Sequence, residues 1–141
     1  MSRALLDTNI ISAFFKGNPE VVEAVTDYVK RHKRLSYSII THYELLRGFM
    51  ALGSDKKLEA YRAFSAQCEI LPLSDQVVEQ AAMLYAALKS SGNLIDDADL
   101  LIAATALQKK LTLVTDNQQH FKRVPHLKLQ NWLCSKTPCP P

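Results

Sequence analysis

Four acidic residues stand where side chains at the ends of short elements can be drawn together: Asp7, Glu44, Asp99 and Asp116. Asp7 closes the apolar stretch Arg3-Ala4-Leu5-Leu6 and is followed by Thr8 and Asn9, while Asp116 closes Leu111 to Val114 between Thr115 and Asn117. Asp99 falls in the first turn of an apolar segment that Asp96-Asp97-Ala98 opens, and Glu44 lies midway along a segment of helical spacing. Carboxylates gathered without Lys or Arg partners repel one another and are costly to bury, so such a group calls for a cation. A donor set of oxygens alone selects Mg²⁺ or Mn²⁺ over zinc. Each acid also has an ordinary reading: Asp7 as a helix cap, Asp116 as a turn residue, Asp99 as a first-turn anion, Glu44 as the partner of Arg47 one turn on. Only their joint placement points to a site.

The elements that must position these acids alternate between strand and helix. Ala4 to Leu6 reads as a first strand, and the Thr8-Asn9 turn leads into a helix. Asn18 before Pro19 caps a second helix to about His32, closed by the basic run Lys30 to Arg34, whose cations complement the helix dipole. Leu35 to Tyr37 is a second strand; Ser38 then caps a helix carrying Ile39, Tyr43, Leu46 and Met50 on one face, with Glu44 at its middle. Ser54-Asp55 starts a helix to about Cys68, Glu69 to Leu71 is a third strand, and Ser74 caps a helix from Asp75 to Lys89. The segment from Asp96 to about Lys110 is apolar almost all round and should be buried. Leu111 to Val114 is a fourth strand, Gln118 to Phe121 a helical turn, and Leu127 to Leu129 a fifth strand at the sheet's edge.

Strands alternating with helices imply a parallel α/β sheet covered on both faces, in which ligands bind beyond the carboxyl ends of the strands. Asp7 and Asp116 occupy that edge, and connection length brings Asp99 near it. Glu44 needs the tertiary fold to join them.

The 141 residues suffice for one self-sufficient domain, expected over 1–134 with a flexible Pro-rich tail at 135–141. With 48% apolar and 22% charged residues the chain is not of disordered composition. A net charge of +3 is compatible with a polyanionic partner without requiring one. The start MSRALLDTNIIS has no leader pattern, and no run of apolar residues is long enough to span a membrane, so a cytoplasmic protein with no membrane partner is expected. Cys68, Cys134 and Cys139 make no metal spacing and read as reduced thiols. Gly17, Gly48, Gly53 and Gly92 form neither a P-loop nor a dinucleotide fingerprint. His32, His42, His120 and His126 are scattered and read as surface or helix-end residues. Asp7-Thr8-Asn9 lacks the second acid that an aspartate phosphatase or phosphoacceptor carries two residues on.

Leu5 to Ser12, Ser38 to Leu45, Asp99 to Ala104 and Val114 to Asn117 together resemble, in order and spacing, the PIN-domain nucleases, and are most similar to the VapC-type toxins of bacterial toxin-antitoxin pairs. The likeness extends to Phe121, Arg123-Val124-Pro125 and Asn131-Trp132. It implies a five-stranded parallel sheet in the order 3-2-1-4-5 and Mg²⁺ or Mn²⁺ held by Asp7, Glu44, Asp99 and Asp116. It also implies cleavage of structured RNA such as transfer or ribosomal RNA, a VapB-like antitoxin partner and a homodimer. Asp116 matches a position where relatives carry Asp or Asn, and Asp96 stands either as a cap or as an outer acid.

Such a site hydrolyses a phosphodiester with a cation-activated water, as an endoribonuclease. Thr8, Asn9, Thr115 and Asn117 would supply neutral hydrogen bonds beside the acids, and Arg47 either a phosphate contact or a partner for Glu44. The competing class is a non-catalytic RNA-binding or assembly module on the same fold, and the presence of all four acids argues against it.

Overall fold

The computed structural model describes residues 2–134, so the expected tail at 135–141 lies outside the described residues. Strand β1 (Ala4–Leu6) passes directly into α1 (Thr8–Phe15), followed by α2 (Pro19–His32), β2 (Ser36–Ser38), α3 (Ile39–Leu52) and α4 (Asp55–Ala66). Then come β3 (Glu69–Leu71), α5 (Asp75–Ser90), α6 (Asp97–Lys109), β4 (Thr112–Val114), α7 (Gln118–Phe121), β5 (Leu129–Gln130) and a 3-10 turn at Trp132–Cys134.

Caps set most of the helix starts. The side chains of Asn18, Ser38, Ser54 and Ser74 accept hydrogen bonds from the backbone N–H groups of Val21, Ile40, Lys57 and Val77, satisfying donors that have no partner inside the helix. Helix α3 stops at Gly53, whose φ of 70° is left-handed and suits glycine.

The strands pair in parallel, but the expected continuous sheet in the order 3-2-1-4-5 is not formed. Ladder hydrogen bonds make two sheets, β1-β4-β5 and β2-β3, with β1 lying alongside β2 unpaired. The cause lies in the backbone donors of β1. Arg3 O and Asp7 N bond to β4, so by alternation Ala4 N–H faces the β2 side, and there it donates to the Tyr28 hydroxyl at 3.0 Å. A side chain of α2 thus takes the donor that a β2 carbonyl would have needed.

Two cores lie on opposite faces of β1. Leu5 and Leu113 pack with α5 and α6, while Ala4, Leu6 and Val114 pack with Ile10, Val21, Tyr28, Tyr37 and Tyr61. Helix α6 is buried as expected, through Leu100, Ile102, Ala103, Ala104 and Ala106. Each such leucine or isoleucine contributes about 2 kcal/mol by leaving water. In the second core the Tyr61 hydroxyl bridges the Tyr37 hydroxyl at 2.9 Å and His42 Nδ1 at 2.7 Å, locking the start of α3 to β2 and α4. That lock fixes the rotation of α3 two residues before Glu44.

Cys68 is unpaired in the structure, and burial pushes its thiol up to about 11. Among the described residues no helix is long and apolar enough to cross a membrane.

Candidate functional site

Asp7 sits where β1 becomes α1, and the sequence makes it do two things at once. Its Oδ1 accepts from Thr8 N–H at 2.8 Å, capping α1, while Oδ2 accepts from the Thr115 hydroxyl at 2.8 Å and from Asn9 Nδ2 at 3.3 Å. The side chain is only 5% exposed, and among the described residues no Lys or Arg pairs with it. Burial holds its carboxyl up at about 6, against the pull of the Thr115 and Thr8 hydrogen bonds, and the charges of Asp99 and Glu44 raise it further. A carboxylate kept this dry, with no counter-charge and two other acids within electrostatic reach, is short of a cation.

Tertiary packing supplies what sequence spacing left open for Glu44. The Thr8 hydroxyl donates to Glu44 Oε1 at 2.6 Å, with the Thr41 hydroxyl 3.3 Å from it, so α1 and α3 meet at this point. Arg47 is one turn on, its guanidinium 4.0 Å from Glu44 and stacked 5.2 Å over the Tyr43 ring. It is largely exposed, with 61% of its side chain open.

Asp99 lies in the first turn of α6, half-buried. Desolvation raises its pKa, the His120 imidazole opposes that rise, and Asp96 and Glu44 add repulsion. Asp96 is exposed at the N-cap position with no side-chain capping bond, so it acts on Asp99 through charge.

Asp116 stands at the end of β4. It is exposed, its Oδ1 accepts from Asn131 Nδ2 at 3.0 Å, and its backbone N–H donates to Asn9 Oδ1 at 3.1 Å. Asn9 thereby ties the ends of β1 and β4 together, and Thr115 reinforces the tie by accepting from Asn117 N–H at 2.9 Å. Asp116 lines a hollow with Asn9, Ser12, Ala13, Lys16, Asn18 and Leu133.

One residue read from the sequence as a surface or helix-end histidine belongs here. His120 Nδ1 is 3.6 Å from Asp99 Oδ2 and 2.9 Å from Asn117 Nδ2. Its sequence signal was only its place one helical turn after Asp116.

Among the described residues no three of these acids and histidines close into a ready coordination shell. The donors are nonetheless those of a hard divalent cation: Asp7, Glu44 and Asp99 are carboxylates at one edge, uncompensated at Asp7 and mutually repelling. From Thr8 and Glu44 an apolar groove of about 550 Å³ runs between α1, α3 and α4, lined by Phe15, Leu45, Phe49 and Leu52 with Lys16 and Lys57.

The PIN domain family matches residues 4–127. Ribonuclease VapC1 of Methanocaldococcus jannaschii is 32% identical over 132 residues, covering 92% of this chain and 86% of that protein. Ribonuclease VapC1 of Haemophilus influenzae (strain R2866) is 30% identical over 129 residues, covering 91% and 96%. In three dimensions the chain is similar to a chain of the crystal structure of VapBC2 from Rickettsia felis bound to a DNA fragment from its promoter. The TM-score there is 0.82 at 30% identity, over 92% of this chain and 98% of that one.

Proposed function

Because the chain belongs to the PIN-domain family, among its VapC ribonucleases, we propose that it is a divalent-cation-dependent endoribonuclease and the toxin of a toxin–antitoxin pair. The observation that carries this reading is Asp7: it lies beyond the C-terminal end of β1, buried and without a counter-charge, its carboxyl raised chiefly by that burial and further by Asp99 and Glu44. Asp7, Glu44, Asp99 and Asp116 would hold Mg²⁺ or Mn²⁺. A bound cation supplies a Lewis acid for the scissile phosphate and for the attacking water. The chain's own residues do the rest. Thr8 N–H and the Thr115 hydroxyl fix the Asp7 carboxylate, the Thr8 hydroxyl orients Glu44, and Arg47 is the cation placed to meet a phosphate oxygen.

The expected substrate is RNA, with structured transfer or ribosomal RNA the first to try. A VapB-like antitoxin helix is the proposed occupant of the apolar groove, its own arginine meeting the acids at the groove's end. The homodimer is proposed from family membership alone.

The test is incubation of purified protein with transfer and ribosomal RNA in chelator, Mg²⁺ or Mn²⁺, followed by mapping of the ends. Cation-dependent cuts with 3′-hydroxyl and 5′-phosphate ends are expected, lost in Asp7→Asn and kept within about threefold in Asp97→Asn, whose exposed carboxylate makes none of these contacts. RNA bound but left uncut under every condition would favour the binding-module reading, and 2′,3′-cyclic phosphate ends would exclude the cation-activated water.

A further inference from the structure

We propose that His120 is itself a ligand of the cation held by this site, its Nδ1 sharing the ion with Asp99, so that one imidazole stands among the oxygens and biases the site toward a transition ion such as Mn²⁺ over Mg²⁺. The proposal rests on the reading of the acids as a cation site.

The geometry of the pair carries it. At 3.6 Å, Asp99 Oδ2 and His120 Nδ1 are too far apart for a hydrogen bond. Two donors each about 2.1 Å from one ion are roughly 3.0 Å apart at a right angle and roughly 3.5 Å apart at the tetrahedral angle. The octahedral ions in question take the first value, so the two atoms would close by about 0.6 Å to share one. Nδ1 also lies 2.9 Å from the Asn117 amide nitrogen, and in the tautomer protonated at Nε2 it presents a lone pair. A cation would take the place of that weak neutral donor.

Connectivity explains why the nitrogen stands there. The end of β4 carries the exposed Asp116, whose Oδ1 accepts from Asn131 Nδ2. Helix α7, starting two residues later, brings His120 to Asp99. The donor that α7 contributes beside Asp99 is nitrogen. Mg²⁺ is hard and gives up its water reluctantly, so it gains little from an imidazole, whereas first-row transition ions accept one readily.

The experiment uses the full chain, Mn²⁺ and Mg²⁺ titrated calorimetrically, and pulsed electron paramagnetic resonance of the Mn²⁺-loaded protein. Wild type should show coupling to a directly bound nitrogen. His120→Gln should lose it and bind Mn²⁺ at least about tenfold more weakly, with Mg²⁺ affinity changed less than about threefold. His120→Glu should lose the nitrogen signal while tightening Mg²⁺, and circular dichroism with thermal melting checks that both variants fold. Mn²⁺ bound without nitrogen coupling would overturn the proposal and leave the acid site standing. Tighter Mn²⁺ binding by His120→Gln would also overturn it, and would make His120 a counter-charge for Asp99. If wild type binds neither ion, the cation-site reading fails first and takes this one with it.

Discussion

At the scale of single residues, the pKa of Asp7 has a consequence for stability. A carboxyl held at about 6 in the folded protein against an ordinary value near 4 makes the native state bind more protons than the unfolded one between those values. Stability contributed by the protonated form is complete below about pH 4 and is lost as pH rises toward 6. At about 1.4 kcal/mol for each pH unit the loss is roughly 3 kcal/mol. In chelator, wild type should fall relative to Asp7→Asn across that window and melt below it at pH 7, and added Mg²⁺ or Mn²⁺ should restore wild type in a concentration-dependent way. Urea unfolding of both proteins from pH 4 to 7 checks this; parallel profiles would mean that Asp7 is not strained by its surroundings. Asp7 was legible in the sequence because a strand end and a helix cap coincide on it. Neither the turning of Asp116 to Asn131 nor the approach of His120 to Asp99 could be read, because side-chain direction at a strand end is decided by neighbours that only the folded chain supplies.

Among the elements, the helices were the easiest to anticipate, since Asn18, Ser38, Ser54 and Ser74 cap the helices they precede, and the apolar face of α6 announces its burial. The strands were located but not their ladder. Three-residue strands carry too few donors and acceptors to dictate their neighbours, and whether β1 pairs with β2 turned on one tyrosine in α2. Removing that hydroxyl should be costly out of proportion to its size. Tyr28→Phe leaves Ala4 N–H buried without an acceptor, and a loss of about 1–3 kcal/mol is expected in urea unfolding, with an unchanged denaturant slope. A neutral Tyr28→Phe would show that β2 slides in to complete the sheet.

For the whole molecule, the apolar groove that starts at Glu44 is the proposed seat of an antitoxin helix, and its far end lies away from the acids. Leu52 lines the groove yet is 62% exposed, so Leu52→Lys spares both cores while placing a charge where an antitoxin helix would lie. Co-purification with the antitoxin should weaken at least about tenfold, with RNA cleavage by the free protein unchanged; unchanged retention would put the partner elsewhere. The split sheet has a bearing on motion as well. Asp7 belongs to the β1-β4-β5 half and Glu44 to the helix that grows out of β2, and the 2.6 Å bond from Thr8 to Glu44 crosses between them. No ladder joins them, and what holds β1 to β2 is the packing of Ala4 and Leu6 with Tyr37 and Tyr61, so opening at this seam should come before the parting of β1 from β4. Amides of β2 and the first turn of α3 should therefore exchange with deuterium faster than those of β4, and saturating Mn²⁺ should slow them selectively, as seen by mass spectrometry. The Thr8–Glu44 bond is then the clasp across that seam, and slower exchange with Mn²⁺ would mark the cation as a second one.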